Sequence, residues 1–186
     1  TYLSESIGNL QNLLELDLPY NHIISLPESI SNLINLKELD LWGNELTHLL
    51  ENIGNMGNLE ALILYDNNLF NFPESIGDLS NLKKLNAGNN QLTIVPDYIC
   101  DLISLMHLNL DRNQLQTIPD CIGNLSELVE LTLQYNYIDF IPETICELTN
   151  LEWWSEYPDY GGNQSYIIYN QICWPIPDCI EPYLRV

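Results

Sequence analysis

Apolar residues return along this chain in a fixed order and at a constant interval. Asn21, Asn44, Asn67, Asn90, Asn113 and Asn136 follow one another every 23 residues. Each is preceded by Leu at minus eight and minus five and, except at Ala87, at minus three. After each Asn come apolar residues at plus two and plus five, Pro at plus six except at Leu50, Ile at plus nine and Leu or Met at plus twelve. In the LxL triplet both leucines point to one side and the residue between them to the other, which predicts a short strand with one buried and one displayed face. A unit this small cannot bury its apolar side alone, so neighbours must stack. The pattern therefore predicts a parallel strand ladder, an outer row of short helical turns and one continuous Leu/Ile interior. An Asn in the bend after each strand is predicted to bond backbone groups that the bend leaves unpaired, in its own unit and the next. Pro fixes φ where the outer segment begins and suits the first position of a helical turn.

The consensus LxxLxLxxNxLxxLPxxIxxL resembles leucine-rich repeat proteins over nearly the whole chain. Its variants LPESISNL (26–33) and FPESIGDL (72–79) resemble the 23-residue class of bacterial repeat proteins and animal Ras-pathway scaffolds. That resemblance implies an α/β solenoid, a horseshoe with a concave parallel sheet and convex 3-10 turns, in about seven to eight repeats. The expected organisation is an array over 1–150 and an irregular last repeat with a C-terminal cap over 151–186. After Leu151 the next recognisable elements are Asn170 and IPDCI (176–180), identical to IPDCI at 118–122, so the last unit carries about a dozen extra residues. Trp153, Trp154, Tyr157, Tyr160, Tyr166 and Tyr169 crowd this stretch, which is expected to form a loop over the end of the array. At the other end, Leu3 to Leu10 align with the second half of a repeat, and TYLSESIGNL lacks both initiator Met and signal character. A truncated or processed chain is the expectation, with end-to-end stacking into homo-oligomers as one consequence.

Five cysteines bear on compartment. Resemblance to repeat ectodomains implies a cap disulfide between Cys173 and Cys179, which their spacing permits but does not dictate. Cys100 and Cys146 stand where other repeats have Gly54, Gly77 and Gly123, and Cys121 replaces a Ser-like outer residue. These three read as space-filling, with proximity of Cys121 to either of the others left open. A zinc site is disfavoured because only two cysteines cluster, far in sequence from His22, His48 and His107. Asn124 and Asn163 head glycosylation sequons that an Asn-rich chain produces by chance.

Charge narrows the partners. With 26 acidic and 5 basic residues the formal charge is −21, which repels nucleic acid and anionic lipid. No apolar run approaches the roughly 20 residues of a spanning helix, so membrane insertion is not expected. Neither a GxSxG elbow, a phosphate-binding glycine loop nor an HExxH motif is present, and neither enzymatic activity nor a cofactor is expected.

A constant register sorts the displayed side chains into lanes along the sheet. Glu15, Asp17, Glu38 and Asp40 should form an acidic block on two adjacent strands, beside Trp42 and Tyr65. Lys84, His107, Asp111, Arg112 and Tyr135 continue the same surface. Exposed rings flanked by charge are the make-up of binding hot spots. A non-enzymatic module that recognises a protein, or a glycan, on its concave face is the expected function, extracellular or at the cell surface. A self-assembling structural array and a cytoplasmic signalling scaffold are the alternatives. On the convex side Glu28, Glu51, Glu74, Asp97, Asp120, Glu143 and Asp178 form a second lane, favourable to each turn but mutually repulsive.

Overall fold

The computed structural model describes residues 2–151, 167, 169–173 and 175–183. Six three-residue strands form one parallel sheet in sequence order: β1 (Glu15–Asp17), β2 (Glu38–Asp40), β3 (Ala61–Ile63), β4 (Lys84–Asn86), β5 (His107–Asn109) and β6 (Glu130–Thr132). The register steps by one repeat without slip, Leu16 pairing with Leu39, Leu39 with Leu62, and so on to Leu131. From β2 onward the central Leu of each strand is buried, as are the Ile at plus nine and Leu or Met at plus twelve, in one uninterrupted core. Ala87, the exception in the Leu pattern, is fully buried too.

The asparagines line up as the sequence requires. Asn90 accepts the Leu69 N–H of the preceding repeat (2.9 Å) and donates to the carbonyls of Leu64 (2.9 Å), Ala87 (3.2 Å) and Gly88 (3.1 Å). Asn67, Asn113 and Asn136 repeat this arrangement, and all are buried. Asn170 joins the same column, accepting from Ile138 N–H and donating to Leu133 and Ile167 carbonyls, although 34 positions separate it from Asn136. The extra residues thus leave the bonding register intact.

Outer turns are 3-10 helices such as Glu28–Asn32, Glu74–Asp78, Asp97–Asp101, Asp120–Asn124 and Glu143–Glu147. Pro does not occupy the first helical position, as the sequence suggested; it sits one place earlier, at the cap, with ψ near 150° (145–156° in Pro27, Pro73, Pro96, Pro119 and Pro142). Its carbonyl accepts the first i+3 bond, so a missing N–H is no loss there. Where Leu50 replaces it the turn shrinks to Ile53–Asn55.

The cysteines pair differently from the cap staple. Cys173–Cys179 is not formed: Cys179 bonds Cys146, and Cys100 bonds Cys121, leaving Cys173 exposed and unpaired. The space-filling reading of Cys100, Cys121 and Cys146 is likewise overturned. Stacking geometry gives the reason. A Cβ added at Gly77 or Gly123 would meet the carbonyl of Tyr98 (2.7 Å) or Thr144 (2.6 Å), the residue 21 positions on. Cys100 and Cys121 occupy that pair of positions, 21 apart with Cα atoms at 5.9 Å. Cys146 and Cys179 occupy it again, 33 apart because the inserted dozen intervenes. Cys173 instead lies in the turn after Asn170, its N–H held by the Asp139 carbonyl (3.0 Å).

Surface ion pairs also follow the repeat. Glu60 sits between Lys37 (2.9 Å) and Lys83 (2.7 Å), one on each neighbouring unit. Hydrogen bonds and charge from Lys83 and Lys37 hold its carboxyl at about 2, below the ordinary 4.5. Because the folded value lies below the unfolded one, this contribution is whole above about 4.5 and is lost as pH falls toward 2. The melting-temperature gap between wild type and Glu60→Gln should therefore close over that window; a gap independent of pH would refute it. The convex acids Glu28 to Asp178 are all exposed, on units stacked roughly 5 Å apart. Melting temperature is expected to rise from low to moderate ionic strength, and a flat profile would show that their repulsion is negligible.

Candidate functional site

On each strand the residues flanking the central Leu point to the opposite side, where no described element packs over them, although Ile63 and Thr132 are themselves buried. Glu15, Asp17, Glu38, Asp40, Trp42, Tyr65, Lys84, His107 and Asp111 lie in these strand lanes, with Arg112 and Tyr135 on the rim, in uneven environments. Glu15 stands beside Glu38 and Asp17 beside Asp40. Asp40 Oδ1 also accepts the Trp42 N–H (2.8 Å), fixing the backbone that carries the ring.

Trp42 is 40% exposed and forms the centre of an aromatic row. Tyr20 packs against it at 5.4 Å between centroids, and Tyr65 meets it edge-on at 5.9 Å. Gly43 makes the first contact feasible: its φ is +66°, and a Cβ there would stand 2.5 Å from the Tyr20 ring. Gly88 does the same further along. The Tyr65 ring and the Asp111 carboxylate both close over it, so that a Cβ would strike each.

Asp111 is consequently only 7% exposed. Burial pushes its carboxyl above the usual range, opposed by Arg112, whose Nε lies 3.5 Å from Oδ2, and by a hydrogen bond with Asn109. Burial and then the Asp111 charge push the Tyr65 hydroxyl up as well. Oδ1 of Asp111, Oγ1 of Thr132 and Oε1 of Gln134 are buried without a hydrogen-bond partner. Arg112 stands over the Tyr135 ring (4.6 Å), which stacks on Tyr169 (4.5 Å). His107 pairs with Glu130 (3.0 Å), and Lys84 is exposed.

Tyr20, Asp66, Asn89, Arg112, Tyr135 and Tyr169 share one backbone position, with φ between 50° and 60°. This rim lane borders the strand lanes. The repeat register also carries Tyr20, Thr132 and Gln134 to this face or its rim, although the sequence did not single them out as contact residues, and Tyr169 was assigned to the terminal loop. Gly43 and Gly88, one step along from Tyr20 and Tyr65, were the available signal. Trp153, Trp154, Tyr157, Tyr160, Tyr166 and Asn163 lie outside the described residues. No group of three or more His, Cys, Asp or Glu suited to a metal ion occurs among the described residues.

Two family models, both described as leucine rich repeat, match the chain, one over 89–138 and 103–153 and the other over 12–33 and 35–56. The chain belongs to the leucine-rich repeat family. Its solved relatives include a leucine-rich repeat protein of Leptospira interrogans, 34% identical with a TM-score of 0.67, the match covering 92% of this chain and 47% of that one. An internalin from Listeria monocytogenes is 27% identical with a TM-score of 0.78, covering 93% and 46%. The plant peptide hormone receptor RGFR1, in complex with RGF2, is 30% identical with a TM-score of 0.74, covering 81% and 25%. This leucine-rich repeat chain thus spans about half the length of the two bacterial proteins and a quarter of the plant receptor. No match is found among curated proteins.

Proposed function

We propose that this leucine-rich repeat array is a non-enzymatic recognition module that binds a protein partner across its sheet face, outside the cell or at its surface. The observation that carries the reading is the Tyr20–Trp42–Tyr65 row, exposed at Tyr20 and Trp42 and half-buried at Tyr65, beside four carboxylates on a face that no described element covers. Rigid rings bring large buried area at little entropic loss, which is what a partner surface needs. Leucine-rich repeats commonly serve as protein-binding modules, and one of the solved relatives is a plant peptide hormone receptor in complex with RGF2. Two disulfides fit an oxidising compartment.

Paired affinity purification from the native source, with wild type and Trp42→Ala as baits, tests this. The partner is expected on the wild type and to bind the variant about 30-fold or more weakly, at unchanged melting temperature. A partner held equally by both would place the binding surface elsewhere.

A further inference from the structure

We propose that the segment recognised here is basic: an extended stretch of polypeptide whose lysine or arginine groups meet Glu15, Asp17, Glu38 and Asp40, with their stems lying on Tyr20, Trp42 and Tyr65. This rests on the sheet face being the binding surface, and adds the chemistry of what binds.

The first argument is like-charge crowding beside the rings. Ion-pair contacts among the described residues reach only Glu60 (Lys37 and Lys83), Asp111 (Arg112), Glu45 (His22) and Glu130 (His107), and the convex acids have none. Glu15, Asp17, Glu38 and Asp40 have no basic group within ion-pair distance among the described residues, yet the register sets them side by side in two like-charged pairs. Like charges directly opposite on a sheet are unfavourable. A cationic partner relieves that repulsion; an anionic one worsens it.

The second argument is the adjoining row of rings. Lysine and arginine lay apolar stems on aromatic surface and direct their charge at ring faces. The chain already does this internally, with the Arg112 guanidinium 4.6 Å from the Tyr135 centroid.

A third observation is independent of both. Further along the same face Asp111 Oδ1 and Thr132 Oγ1 lack a hydrogen-bond partner, although their residues are 7% and 6% exposed. Buried acceptors without donors call for N–H groups, and ammonium and guanidinium are donor-only groups. One lane runs Trp42, Tyr65, Gly88, Asp111, with three inter-strand steps of about 4.8 Å from first to last. An extended segment covers that distance in roughly four to five residues. Cationic side chains at about that spacing would reach the acid block and the Asp111 seat together, the second on displacement of the Tyr65 ring from over Gly88.

Panning a random peptide library displayed on phage decides the matter, with two charge-matched variants as controls. One neutralises the sheet face (Glu15→Gln, Asp17→Asn, Glu38→Gln, Asp40→Asn); the other neutralises the convex lane (Glu28→Gln, Glu51→Gln, Glu74→Gln, Asp97→Asn). The expected result is enrichment of peptides with lysine or arginine about four to five positions apart. Their synthetic forms should bind the sheet-face variant at least about tenfold more weakly and the convex variant within about threefold of wild type. The composition of enriched peptides needs no variant to fold. Neutral or acidic peptides that lose binding in Trp42→Ala would overturn the basic partner while leaving the sheet face as the site. Basic peptides weakened equally by both neutralised variants would reduce the effect to net charge and overturn the proposal. Binding indifferent to every sheet-face change, or no enrichment, would overturn both readings.

Discussion

Replacing Asn90 by leucine is expected to lower stability by about 3 kcal/mol or more and the melting temperature by roughly 6–12 °C. The near-isosteric side chain keeps the volume but strands the Leu69 N–H in the interior and leaves the Leu64, Ala87 and Gly88 carbonyls with one bond each, from Asn67, Asn113 and the Asp66 N–H. Each buried backbone group without a partner costs about 1–3 kcal/mol, and carbonyls that retain another bond fall at the low end. Asn21→Leu is the control. Asn21 is exposed and bonds only the Pro19 carbonyl with its amide, so the change should stay within about 0.5 kcal/mol. Thermal melts of the two variants giving equal shifts would remove the column from the account of stability.

The second large effect concerns the end of the array. Cys146→Ser opens a bridge that closes a 33-residue separation, for which chain entropy gives about 3–4 kcal/mol of destabilisation. Cys100→Ser should cost slightly less, since its loop is 21 residues. Alkylation of the unreduced, unfolded chain followed by mass spectrometry should label Cys173 alone. Recovery of a Cys173–Cys179 cross-linked peptide would refute the pairing, and melts in which Cys173→Ser destabilised as much as Cys146→Ser would do so independently.

Most of the fold was legible because it depends on features that repeat. Leucines at minus eight, minus five and minus three fix strand, register and interior together, and an error in one would have broken the period in all six copies. The disulfides were legible too, in a form that local spacing hides. Two cysteines six apart invite a local bridge, whereas the solenoid brings together residues one turn apart. The number to look for was 21, visible between Cys100 and Cys121 and disguised by the insertion between Cys146 and Cys179.

The site was legible only as a list of lanes. Register placed Glu15, Asp17, Glu38, Asp40 and Trp42 on one face, but not what each touches. Contacts within a lane depend on whether the next repeat offers a side chain or a gap. Gly43 admits the Tyr20 ring, and Gly88 admits Tyr65 from one side and Asp111 from the other. An acid that reads as solvated in a lane of exposed residues therefore ends up nearly dry, with an altered affinity for protons.

The left-handed rim position has a consequence for any effort to make this protein more robust. Backbone at φ near +55° suits glycine or asparagine, and side chains with a Cβ hold it at roughly 1 kcal/mol apiece. Tyr20, Arg112, Tyr135 and Tyr169 are held there against that preference. Selection for heat resistance alone should drift toward glycine and asparagine along this edge, and would plane away the rings and the guanidinium as it did so. Durability and the proposed recognition pull this one lane in opposite directions.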